Sequence, residues 1–242
     1  SHNWDDKLRT NIGNISGSGA LFGQNGRGFE SSYKLKNSSV GASIVSNMFI
    51  QSWTASAYYG SSILIPIISK SISYKFSLYY QDNSTLGLRS ISPQLSLSFT
   101  PIKNQSINLS VLPSFANYDS TLGNLPNQDS SINGASYRIS YAGSYKNITV
   151  RVSNVNTKNS LLIANGMTTT SSDVRYKINN MSNFSYTSFI SNQSPSKLFS
   201  ILNQSGQFAG WNNHRLVYNN RVNKKVMFSC GPNIQTTTRQ EF

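Results

Sequence analysis

Charge is scarce in this chain of 242 residues: only 12% are Asp, Glu, Lys or Arg, and only 8 of those are acidic. A soluble domain ordinarily carries about 25% charged and about 45–50% apolar residues, and uses the charge to keep its surface hydrated. Apolar residues fall short as well, at 37%, so Ser, Asn, Thr, Gln and Gly fill the difference. Cysteine is reduced to Cys230, which excludes an internal disulfide framework. Long hydrophobic runs are missing. The longest, around Ile63 to Ile68, is interrupted by Pro66 and falls far short of the roughly 20 residues a membrane helix requires. No leader segment opens the chain at Ser1, so an exported protein would be met here in mature or excised form.

Reactive clusters are equally thin. Metal centres and nucleophilic sites need several His, Cys or carboxylate groups held together. His214 is the only internal histidine of use, and its WNNHR setting reads as a loop or strand end with a solvated or structural role. The acids Asp5, Asp6, Glu30, Asp82, Asp119, Asp129, Asp173 and Glu241 fall at no spacing that suggests an acid and base pair. Asp82-Asn83 and Asp129-Ser130 read as turn formers, whose side chains bond nearby backbone. Cys230 alternates with Val226 and Phe228, which suggests a buried or lipid-facing apolar role. GQNGRG, which begins at Gly23, resembles a phosphate loop superficially, but no helix follows, so a tight loop is expected. The sequons at Asn108, Asn147 and Asn183 are what a chain rich in Asn, Ser and Thr produces by chance. No catalytic residue, metal or cofactor is expected, and the chain does not read as an enzyme.

What the sequence does contain is alternation. Low hydrophobicity with net charge can signal disorder, but aromatic residues make up 12% and recur with period two, as in a strand with different surroundings on its two faces. In SISYKFSLYY, Ile72, Tyr74, Phe76, Leu78 and Tyr80 oppose Ser71, Ser73, Lys75 and Ser77. Leu95, Leu97 and Phe99 precede a short PIKN link and Ile107, Leu109 and Val111 follow it, so this stretch predicts an antiparallel hairpin. Tyr137, Ile139 and Tyr141, then SYKN, then Ile148, Val150 and Val152 repeat the plan. Weaker alternation spans Phe29 to Lys36, Trp53 to Tyr59 and Val174 to Ile178. Later candidates are Phe184 to Ile190, Leu198 to Phe208, Arg215 to Asn219 and Val226 to Gln235. A long polar stretch, roughly Asp119 to Asn133, reads as a loop, so tight turns and long loops alternate as they do in outer-membrane barrels.

The pattern predicts an all-β, single-domain chain over residues 1–242: an antiparallel transmembrane β-barrel of about 12 to 14 strands of near 9 to 11 residues each. Unpaired backbone in lipid costs several kcal/mol per group, so the barrel must close on itself or as part of a larger barrel with another segment.

The phrases GQNGRGFESSYKLKNSSVGASIV, SLYYQDNST, SLSFTPIKNQSINLSVLPSF and YRISYAGSYKNITVRVSN resemble the hairpins of large outer-membrane barrels of the Bacteroidota type. The likeness lies in the cadence of strand, short "P-x-K-N" or "Y-K-N" turn, returning strand and polar loop over most of residues 8 to 235. The resemblance implies a usher-like, secretion or uptake channel in the outer membrane of a Gram-negative bacterium. The ending departs from it. Phe242 suits a barrel assembly signal, but polar TTTRQE precedes it, so an incomplete last strand is expected.

Lys34, Lys36, Lys75, Arg138, Arg151, Arg175 and Lys177 all fall on the polar side of their alternation, where a lumen would be. With a formal charge of +13, such a lumen favours anionic solutes or an exported chain. Trp53, Tyr58, Tyr59, Tyr79, Tyr80 and Trp211 are candidates for aromatic girdles at the membrane interfaces. The expected function is an outer-membrane channel or translocation conduit, or the membrane part of a larger assembly, with lipid and other subunits as partners. The rival is a soluble secreted all-β module whose exposed aromatics bind glycans. A nucleic-acid partner is not expected, since the basic residues are spread over many strands with no recognition module.

Overall fold

The computed structural model describes residues 2–3, 7–18, 23–47, 52–65, 70–84, 87–118, 131–159, 165–195, 207–222 and 226–241. These residues form strands and their connections, with no helix among them. The strands are β1 (His2–Asn3), β2 (Leu8–Ser18), β3 (Gly23–Lys34), β4 (Ser38–Asn47), β5 (Ser52–Ile65), β6 (Lys70–Asn83), β7 (Leu88–Phe99) and β8 (Gln105–Tyr118). There follow β9 (Ser131–Tyr145), β10 (Ile148–Asn159), β11 (Asn165–Lys177), β12 (Ser182–Pro195), β13 (Gln207–Arg221), β14 (Met227–Cys230) and β15 (Asn233–Glu241).

All belong to one sheet, in which each strand from β1 to β13 pairs antiparallel with the next in sequence. β14 and β15 both pair with β13, one behind the other, so together they take the place of a single fourteenth strand. The break between them is at Gly231 and Pro232. Gly231 has φ +154, and a Cβ there would collide with the Leu216 carbonyl, so only glycine fits. The Leu216 N–H donates to the Pro232 carbonyl at 3.1 Å across the break. TTTRQE therefore lies in a regular strand paired residue by residue with β13 along one edge, where its polarity suggested an incomplete strand. Among the described residues no hydrogen bond joins β1 or β2 to β14 or β15, so the sheet has two open edges.

The two hairpins legible in the sequence turn at the expected places. Asn104 takes φ 67 at the end of the PIKN link, and Lys146 takes φ 51 in the two-residue turn between Tyr145 and Ile148. At this end of the sheet the links are tight; in the one after β11, Asn179 Oδ1 accepts the N–H groups of Met181 and Ser182 at 2.8 and 2.7 Å, as an Asx turn does. At the other end β8 and β9 are joined through 119–130, and β12 and β13 through 196–206. Residues 131–133, read as loop, already belong to β9.

Other expectations are corrected. GQNGRG is not a tight loop but the first half of β3, because its backbone is held by pairing to β2 and, from Arg27 onward, to β4. Asp82 and Asn83 end β6 and do not form a turn. Most strands run to 12–15 residues, longer than the sequence suggested. Asp129, Pro66 and most of the Leu198 to Phe208 candidate lie outside the described residues.

The strands are staggered steadily in one sense. Cross-strand pairs that begin at Tyr33, next to the tight-turn end of β3, pass through Phe76 and Val111 and arrive at Asn192, near the opposite end of β12. A cumulative stagger of this kind accompanies strand tilt in a sheet that curls toward closure.

Candidate functional site

Directly paired residues share a face, so the register assigns every strand residue to one of two sides. One side is apolar and exposed: Ile44 is 58% exposed, Leu95 45% and Phe115 51%. The other is polar and covered: Ser92, Ser114 and Ser136 are each 0% exposed. A water-soluble sheet has the opposite arrangement, with the apolar side packed away.

The polar side is built from short hydroxyl and amide ladders. Ser43 Oγ lies 2.8 Å from Ser56 Oγ, Ser110 Oγ donates to Ser96 Oγ at 2.9 Å, and Gln94 Nε2 donates to the same oxygen at 2.9 Å. Asn11 Nδ2 donates to Glu30 Oε2 at 3.1 Å. Several buried atoms beside these ladders, Ser90, Ser92, Ser114 and Ser136 Oγ with Gln81 and Gln94 Oε1, have no hydrogen-bond partner. A dry orphan of this type costs about 1–3 kcal/mol, so this stretch of the face is polar in demand as well as in composition.

Six of the seven basic candidates, Lys34, Lys75, Arg138, Arg151, Arg175 and Lys177, occupy the polar side by register. Lys34, Lys75 and Arg138 stand in a single transverse row, linked through Ser39, Gly60, Ser96 and Ser110. Lys36 departs from them: β3 ends at Lys34, and Lys36 sits exposed in the turn that follows. Arg9 and Arg215 share the same side and were missed, although Arg215 alternates with Asn213 and Val217 as the others do. Glu30 and Asp173 also lie there, so the lining is mixed in sign with basic residues in excess.

The aromatic candidates divide. Trp53, Tyr59 and Tyr80 are on the apolar side, with Trp53 and Tyr80 ring centroids 5.1 Å apart. Tyr58, Tyr79 and Trp211 are on the polar side, opposite the other three. Neighbours such as Tyr58 and Tyr59 cannot both face lipid, because successive residues point to opposite faces. The Tyr58 ring instead covers Gly41, where a Cβ would strike it, and Lys75 Nζ lies 4.1 Å from its centroid in a cation–π contact.

Among the described residues, charge on the apolar side lies at strand ends except for Arg27, the fifth residue of β3. Arg27, Trp53, Asp82 and Arg89 lie in one row toward the end of the sheet opposite the tight turns, and Arg89 Nε is 3.3 Å from Asp82 Oδ2. Lys70 opens β6 at the other end. His214 is on this side too, its ring stacked at 6.4 Å on Tyr186, whose hydroxyl is 3.1 Å from His214 Nδ1. Cys230 is exposed on the apolar side.

Two depressions mark the polar side. One, of about 390 Å³, spans β6 to β9 and is lined by Lys75, Ser96, Ser110, Asn108, Arg138 and Ser140 among others. The second, of about 440 Å³, continues it across β9 to β12 and includes Arg138, Arg151, Asp173 and Thr187. Arg138 and Ser140 belong to both. Among the described residues no carboxylate approaches Lys75 or Arg138 to ion-pairing distance. In comparison with known proteins, no family model matches the chain and no curated protein is significantly similar to it.

Proposed function

We propose that the chain forms the wall of an outer-membrane conduit, with its apolar side against lipid and its polar, basic side around an aqueous path that favours anions. The observation that carries this reading is the inverted exposure of the two faces: large apolar side chains outside, small hydroxyl side chains covered. Burial of apolar area is the main force that organises a soluble sheet, and a sheet with its greasy face outward meets that force only in lipid. Scarcity of charge on the apolar side, where Arg27 is the one charged residue among those described that is not near a strand end, supports it further, since Lys or Arg at the membrane midplane costs about 2–4 kcal/mol. The open edges at β2 and β15 must then be paired, with each other or with a further segment, because unpaired backbone is not tolerated in lipid. A soluble glycan-binding sandwich would need a second layer to cover Ile44, Leu95 and Phe115, which are exposed.

Membrane fractionation with heat-dependent gel mobility tests the location, and reversal potentials in a planar bilayer test the path. A folded, detergent-requiring protein that passes chloride more readily than potassium is expected. Monodisperse behaviour in plain buffer would remove the membrane reading, and clear cation preference would remove the anion path.

A further inference from the structure

We propose that the depression between Lys75 and Arg138 binds an anionic monosaccharide, a sugar that carries a carboxylate or phosphate group. Within the conduit reading, on which this rests, it is the place where a solute pauses. Its volume of about 390 Å³ lies in the range of small-molecule sites. Lys75 on β6 and Arg138 on β9 share one transverse row, with Ser96 and Ser110 between them. Three strand spacings separate their backbones, about 14 Å, and Lys75 Nζ lies over the Tyr58 ring of β5, so a ligand that touches both cations must be larger than a bare inorganic anion.

The surface between the two cations is made of groups that both donate and accept. Ser96 and Ser110 are bonded to each other at 2.9 Å, and Asn108 Nδ2 donates to Ser140 Oγ at 3.5 Å, a long contact that is readily exchanged for a ligand hydroxyl. Tyr74 and Leu97 also border the depression, but by register their side chains belong to the opposite face. Among the residues that line the depression no aromatic ring is therefore presented for a nucleobase to stack on, which disfavours a nucleotide. A neutral sugar would leave Lys75 and Arg138 without an anion at ion-pairing distance, and a bare inorganic anion would leave the hydroxyl floor unused. A charged sugar meets both demands.

Isothermal titration of the full chain, folded in detergent, with glucuronate, glucose 6-phosphate, glucose and inorganic phosphate tests the site. Binding of the two charged sugars is expected, at least tenfold tighter than that of glucose or inorganic phosphate. Lys75→Gln and Arg138→Gln should each weaken it about tenfold, Arg138→Lys should recover most of the loss, and Arg215→Gln should change it less than twofold. Equal binding of inorganic phosphate and glucose 6-phosphate would overturn the proposal, as would indifference to Arg138→Gln or an equal effect of Arg215→Gln. Absence of binding in protein that conducts ions would overturn the site and leave the conduit; binding by folded protein that does not conduct would support the site and remove the conduit.

Discussion

Leu95 offers a direct measure of what surrounds the apolar side. It lies well inside β7, paired with Phe76 and Val111, and is 45% exposed. If water covers that face, Leu95→Lys places a charge where it is already hydrated, and a substitution of this kind changes stability by no more than about 0.5 kcal/mol. If lipid covers it, the charge costs about 2–4 kcal/mol beyond the loss of the leucine, a factor of about thirty to nearly a thousand in the folding equilibrium. Leu95→Ala isolates the loss of the leucine itself. Thr187→Lys provides the opposite control, because Thr187 is on the polar side, directly paired with Asp173 on one strand and Arg215 on the other, so a cation there meets one charge of each sign and the two offset. Denaturant unfolding in phospholipid bilayers, followed by gel mobility of the folded form, gives the three values. A lysine penalty at Leu95 no greater than that of alanine, or one at Thr187 as large as at Leu95, would refute the assignment of the two faces.

Two further outcomes follow from the same register. In variants that retain one tryptophan each, Trp53 should be quenched by brominated lipid chains and Trp211 by aqueous iodide, and a reversal of the two would contradict their placement. Ser114→Ala removes a fully buried hydroxyl that has no hydrogen-bond partner, so it should leave stability unchanged or raise it by about 1 kcal/mol; a loss of 1 kcal/mol or more on denaturant unfolding would mean that the hydroxyl is bonded after all.

Much of the sheet is legible along the chain where the two faces differ sharply in polarity. From Ile72 to Tyr80 every second residue is apolar, and strand, face and the placement of Lys75 all follow from that alone. The same holds for the hairpins around PIKN and SYKN, whose turn residues Asn104 and Lys146 accept positive φ. Legibility fails where local preference and pairing disagree. GQNGRG has the composition of a loop, yet two neighbouring strands hold it extended. Apart from Met167, Asn165 to Asp173 in β11 is small and polar on both sides, so its period is invisible even though it is paired with both β10 and β12. The depression between Lys75 and Arg138 could not be read at all. Those residues are brought into one row by register across four strands, which depends on turn lengths summed along the chain and not on any local pattern.

The steady stagger of the strands has a consequence for the basic row. Lys34 stands at the tight-turn end of β3, Lys75 within β6 and Arg138 well inside β9, each reached from the last by crossing the sheet sideways. Because the strands slide past one another in one direction, sideways travel is also travel lengthwise. In the proposed conduit, an anion handed from one cation to the next would move around the wall and advance at once, as a nut advances along a thread.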